Sequence, residues 1–114
     1  MNKQIPLQPA QQEKPMAARK GSFLLRLYIG GISPKSVLAS ENIRAICAKY
    51  LLGCHKLEII DIFQQPHLAK EAQIVAVPTL VKVEPLPQRR FIGDLSHTDR
   101  VLTGLGLLRG LAET

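Results

Sequence analysis

The chain has 114 residues, no tryptophan, only 4% aromatic residues, two cysteines and no long apolar run. Each shortage removes a class of answer. With so few aromatics the core has to be assembled from Leu, Ile, Val and Ala, and stacking on nucleic-acid bases has almost nothing to work with. No stretch approaches the roughly 20 apolar residues of a membrane helix, and the N-terminus lacks the apolar centre of a secretory signal. A cytoplasmic setting with no membrane partner is therefore expected. Cys47 and Cys54 are separated by six residues, with no C-x-x-C pair. That spacing does not make a dithiol redox site, and the two are read as separate reduced thiols.

What is present suffices for one domain and is too little for two ordinary ones. The net charge of +6 invites an acidic or nucleic-acid partner. Half of it lies in residues 1–22, where Lys3, Lys14, Arg19 and Lys20 face Glu13 alone. Pro6, Pro9 and Pro15 stand there among Gln, Lys and Ala, with neither a helical nor an alternating apolar period. Residues 1–22 are read as a flexible N-terminal extension and 23–114 as a single domain.

Order is expected from Phe23. FLLRLYI is apolar on both faces, as in a strand covered on both sides. Gly30-Gly31 ends it, and Ser33-Pro34 reads as the cap and first residue of a helix. Ala39, Ile43, Ile46, Cys47 and Tyr50 form the buried face of that helix, and Gly53 stops it. KLEIIDI, residues 56–62, follows as a second, parallel strand, completing a βαβ half. Pro66 opens a short helix. VPTLVKVE supplies a third strand, with Pro78 at its first residue as in thioredoxin-like folds, because proline has no N–H to give to a ladder. Pro85-Leu86-Pro87 connects it to QRRFIG, a fourth strand in a hairpin. Ser96, with Asp99 three residues on, reads as a variant capping box.

RVLTGLGLLRG is locally ambivalent. Val101, Leu105 and Leu108 suit a helix face, whereas Val101, Thr103, Leu105 and Leu107 suit one face of a strand. Gly104 and Gly106 each disfavour a helix by about 1 kcal/mol relative to Ala.

Candidate chemistry is sparse. The turn GGISP stands where thioredoxin-like proteins carry reactive cysteines, and here Ile32 and Ser33 occupy the place. Its two glycines ahead of a helix are read as a tight turn before an anion site. His55, His67 and His97 share no metal-ligand spacing with each other or with the cysteines. Asp61 and Asp94 have no evident acid–base partner and are read as capping and turn residues. No catalytic residue, metal site or cofactor is expected. Lys82, Arg89 and Arg90 form a basic group beside the hairpin, with Phe91 the only stacking residue near it, which favours a protein partner with an acidic rim over nucleic acid.

Read together, LRLYIGGISPKSV, LEIIDIFQQPHLAKEAQIVAVPTLVKVEPLPQRRFIGDLS and RVLTGLGLL resemble the KaiB family of circadian-clock proteins, from about Leu24 to Leu108. VPTLVKVEPLPQRRFIGDL is the most specific piece. The resemblance implies an α/β, thioredoxin-like fold and a non-enzymatic partner of the hexameric KaiC ATPase, acting in circadian timing or a related stress or output pathway. KaiA or histidine kinases are further implied partners. It also implies two alternatives for the C-terminal half: βααβ in a homodimeric or homotetrameric resting form, or αββα in a KaiC-binding monomer. By position, Lys82, Arg89 and Arg90 look like partner-binding residues. Pro78, which resembles a proline that is cis in the thioredoxin-like state, Pro85, Pro87, Gly104 and Gly106 are assigned to the fold switch. The chain departs from the family pattern at Ile32, Leu38, Gln73 and Gly106, where the family commonly has Asn, a basic residue, Lys and Asp.

Overall fold

The computed structural model describes residues 22–107. The expected extension, apart from Ser22, and Leu108 lie outside the described residues. Strands and helices follow as β1 (Phe23–Ile29), α1 (Pro34–Tyr50), β2 (His55–Asp61), α2 (Pro66–Glu71), β3 (Thr79–Glu84), β4 (Arg89–Ile92) and α3 (Thr98–Leu105). The C-terminal half thus runs αββα, one of the two orders left open above. The four strands form one sheet in the order β2-β1-β3-β4. β1 is parallel to β2 and antiparallel to β3, and β4 is antiparallel to β3.

Alternation along β1 sets the layers. Phe23, Leu25 and Leu27 face α1 and α3, meeting Ala39, Ile43, Ile46 and Cys47 of α1 and Val101, Leu102 and Leu105 of α3. Tyr28 turns to the other face with Ile60 and Val81, beneath Leu68, Ala72, Ile74 and Val77 of α2 and the segment after it. Burial of each Leu or Ile side chain contributes about 1.5–3 kcal/mol, so the first and larger cluster dominates stability.

The cap of α1 is as read: Ser33 Oγ accepts from the Ser36 amide at 3.4 Å, with Pro34 following. Tyr50 departs from expectation and is 40% exposed. It closes the final turn, and the adjacent Leu51 fills the core instead, leaving the Tyr50 ring 5.3 Å from the Lys49 ammonium.

Strand β2 starts one residue earlier than read, because Phe23 pairs with His55 at the head of the ladder. Pro78 stands immediately before β3, outside the ladder, and the Val77-Pro78, Glu84-Pro85 and Leu86-Pro87 peptide bonds are cis.

The cap of α3 also differs. His97, not Ser96, is the N-cap, and it makes no side-chain cap bond. Ser96 is already engaged: its amide donates to Asp94 Oδ1 at 3.0 Å and its hydroxyl bonds the same carboxylate. Within the ambivalent segment the helix α3 runs as far as Leu105, with Val101, Leu102 and Leu105 buried and Thr103 exposed. Gly106 ends it in the left-handed region, at φ 84.

Candidate functional site

The turn after β1 is tied down by its own polar groups. The Gly30 amide donates to Ser36 Oγ at 3.1 Å and the Gly31 amide to Asp61 Oδ1 at 3.2 Å. Asp61 Oδ1 also accepts from the Phe63 amide at 2.9 Å. These bonds close the turn, and Asp61 has the local role expected of it. Gly31 needs its freedom, with φ 62 beneath the Phe63 ring.

Neither thiol reaches this turn's chemistry. Cys47 and Cys54 are both buried and free. Burial, and secondarily the neighbouring Cys54, push the Cys47 thiol up to about 11, so little nucleophilic thiolate exists at neutral pH. His55 Nδ1 meets the Leu51 carbonyl at 2.8 Å, closing the α1–β2 connection. His67 and His97 are exposed. Among the described residues no three His, Cys, Asp or Glu side chains come together. Asp94 is a turn residue: Ser96 holds its carboxyl below the ordinary range, and its carbonyl accepts from Asn42 Nδ2 at 2.8 Å.

The basic trio divides between two faces. Lys82 and Arg89 are direct cross-strand neighbours, whereas Arg90 pairs with Val81 and turns toward α2. Lys82 is 5% exposed and has no ion pair among the described residues. Burial first, and Arg89 second, lower its pKa. No buried side-chain nitrogen lacks a partner, so its aliphatic stem is enclosed while the ammonium reaches solvent beside Arg89. Arg90 instead donates to backbone: Nη2 to the Ala72 carbonyl, and Nη1 to the Gln73 carbonyl at 3.1 Å.

Sequence reasoning missed two further features. Arg26 Nε lies 2.8 Å from Glu58 Oε1, and Lys56 adds a second contact at 3.4 Å. Arg26 and Glu58 are each the fourth residue of their parallel strands, so aligning FLLRLYI with HKLEIID would have paired them. The other is a set of open apolar side chains: Ile32 and Val75 are each 91% exposed and Phe63, which lies against Gly30-Gly31, 74%. Its members are scattered along the chain and no local pattern announces them.

The fold agrees with that of known proteins. The family model described as the KaiB domain matches residues 26–107. The circadian clock oscillator protein KaiB of Prochlorococcus marinus is 47% identical over 93 residues, which are 82% of this chain and 88% of that protein. Among solved structures, the N-terminal domain of SasA from Synechococcus elongatus superposes with a TM-score of 0.61 at 24% identity, covering 89% of each chain. Mitochondrial thioredoxin 3 from Saccharomyces cerevisiae does so with a TM-score of 0.62 at 16% identity, over 80% of this chain and 84% of that one. The two structural matches establish a thioredoxin-like fold, and the identity shared across most of the domain shows that this chain belongs to the KaiB family of circadian-clock proteins.

Proposed function

We propose that the chain is a non-enzymatic regulator that binds a KaiC-type hexameric ATPase and modulates its phosphorylation and ATPase cycle, in circadian timing or a related stress or output pathway. The observation that carries this reading is the αββα order of the C-terminal half, which is the order the family resemblance assigns to the KaiC-binding form. It is built on a frame whose thiol positions hold Ile32 and Ser33. Exposed Ile32, Phe63 and Val75 supply apolar contact area, and Arg89 beside Lys82 supplies charge for an acidic rim on the partner. Arg90 was expected in the same group but faces the other way.

The same reading makes Pro78, Pro85, Pro87, Gly104 and Gly106 the residues that permit a second, βααβ arrangement in a homodimeric or homotetrameric resting form. It places the protein in the cytoplasm, with KaiA or a histidine kinase as further partners. The test is co-elution of the full chain with the KaiC-type ATPase of the same cell after long incubation with ATP. A complex that forms slowly is expected, since a dominant inactive arrangement lowers apparent affinity by the competent fraction. Absence of a complex at every temperature and concentration would overturn the reading.

A further inference from the structure

Helix α2 is too short to hold itself. It has six residues, and its N-cap, Gln65, makes no side-chain cap bond, whereas isolated helices need about 12–15 residues to be even marginal. Its C-terminal end is elaborate by comparison. The Gln73 amide donates to the Lys70 carbonyl at 3.0 Å and the Ile74 amide to the Ala69 carbonyl at 2.9 Å. That pair of bonds is a Schellman motif, with Gln73 in the left-handed position that glycine usually fills. Gln73 has φ 57, and its Cβ disfavours that conformation.

Something outside the helix has to hold this turn, and the hairpin does so. The register Val81↔Arg90 puts Arg90 on the α2 face of the sheet. Its guanidinium spans the Ala72 and Gln73 carbonyls, which the motif leaves open. A planar fork with fixed donors matches two adjacent carbonyls, and its charge meets the negative end of the helix dipole. An ammonium brings the charge but not the planar pair of fixed donors.

We propose that Arg90 is a positioning residue that couples α2 to the β3–β4 hairpin, by holding the left-handed turn at Gln73 and the Ile74–Val77 segment that follows it. An Arg90 substitution then reaches partner binding only through the fraction of chains in which α2 is formed. That consequence rests on the KaiC-type reading above; the coupling itself does not.

The test is amide hydrogen exchange by NMR on the full chain, comparing the parent with R90Q, R90K and R89Q. In R90Q the Ala72, Gln73 and Ile74 amides are expected to exchange about 10- to 100-fold faster, the effect of losing hydrogen bonds from a charged donor. R90K falls between, and R89Q, on the opposite face, leaves those amides unchanged. Protection in β1 and β2 reports that each variant is folded; if R90Q loses it, R90K decides. Parent-like exchange at the three amides in the folded Arg90 variants overturns the proposal, as does an R89Q effect equal to that of R90Q. In a binding arm with the ATPase, a loss of affinity beyond the loss of α2-formed chains means direct contact, and also overturns it. If the parent chain forms no complex, the functional reading falls while the exchange arm still decides the coupling.

Discussion

Gly104 of α3 lies against the ring of Phe91 on β4: a Cβ added at 104 would stand 2.6 Å from Phe91 Cζ and nearer still to Cε2. This contact explains a glycine in the last turn of a helix. Intrinsic propensity ranks Gly about 1 kcal/mol below Ala at such a position. Seating α3 on the hairpin nevertheless requires the missing side chain, so packing and propensity act in opposite directions.

Packing is expected to win in Gly104→Ala. Displacing an aromatic ring in a filled core costs roughly 1–3 kcal/mol, against the gain of about 1 kcal/mol in helix propensity. The variant should unfold at lower urea concentration than the parent. Adding Phe91→Leu, which withdraws the obstructing ring edge, should recover part of the loss. A G104A variant more stable than the parent would show that the ring yields freely.

Gly106 has a different requirement. Nothing lies within 4 Å of its absent Cβ, and φ is +84. Gly106→Ala should therefore destabilise by about 1–2 kcal/mol through backbone conformation alone. Gly106→Asn should lose less, because Asn tolerates the left-handed region. Thermal unfolding of the two variants distinguishes this from packing, which would penalise the larger Asn more.

Much of the fold was legible because local signals and tertiary demands coincide. FLLRLYI, Ser33-Pro34 and Gly53 mark their elements by rules that hold whatever surrounds them. The errors fall where a distant partner decides. Ser96 looks like a cap by spacing, but Asp94 captures it first. Tyr50 is in phase with the buried face, but the core position beside it belongs to Leu51. Residues 101–105 have no local answer, and packing on Phe91 and the sheet accompanies the helix they form. The surface was less legible still. Three cations on one hairpin predict one patch, yet strand alternation sends Arg90 to one face and Lys82 with Arg89 to the other. The exposure of Ile32, Phe63 and Val75 becomes visible only once their loops are placed.

The Arg26–Glu58 pair sets an acid limb. Its hydrogen bond to Arg26 lowers the Glu58 pKa against the opposing effect of burial, with a lesser lowering from Lys56. A lowered carboxylate pKa contributes stability that is present above the unfolded value and lost as pH falls through the folded one. Both side chains are about a third exposed, at 39% and 33%, so the contribution is at most about 1 kcal/mol. Glu58→Gln should lower the unfolding midpoint at pH 7 and match the parent once acid has protonated Glu58. A gap that persists undiminished in acid would assign the effect to packing.

Lys82 has the opposite sign. Its pKa is lowered from 10.5 by burial and by Arg89, so the folded chain disfavours the proton that the unfolded chain binds. The penalty is full at neutral pH and is relieved as pH rises through the folded value toward 10.5. Lys82→Met keeps the length and the enclosed stem while removing the charge. It should therefore stabilise the chain at pH 7 by roughly 0.2–1 kcal/mol, the scale of a like-charge cross-strand pair. Because other lysines and the tyrosines also titrate in alkali, the informative quantity is the difference between variant and parent, which should shrink as pH approaches 10.5. The same substitution should weaken attachment to an acidic partner if Lys82 and Arg89 supply the charge proposed for them. Higher stability with weaker binding is the joint signature of a lysine retained for a partner at the expense of the free fold. Lower stability at pH 7 would mean that the ammonium is better solvated than its surroundings imply.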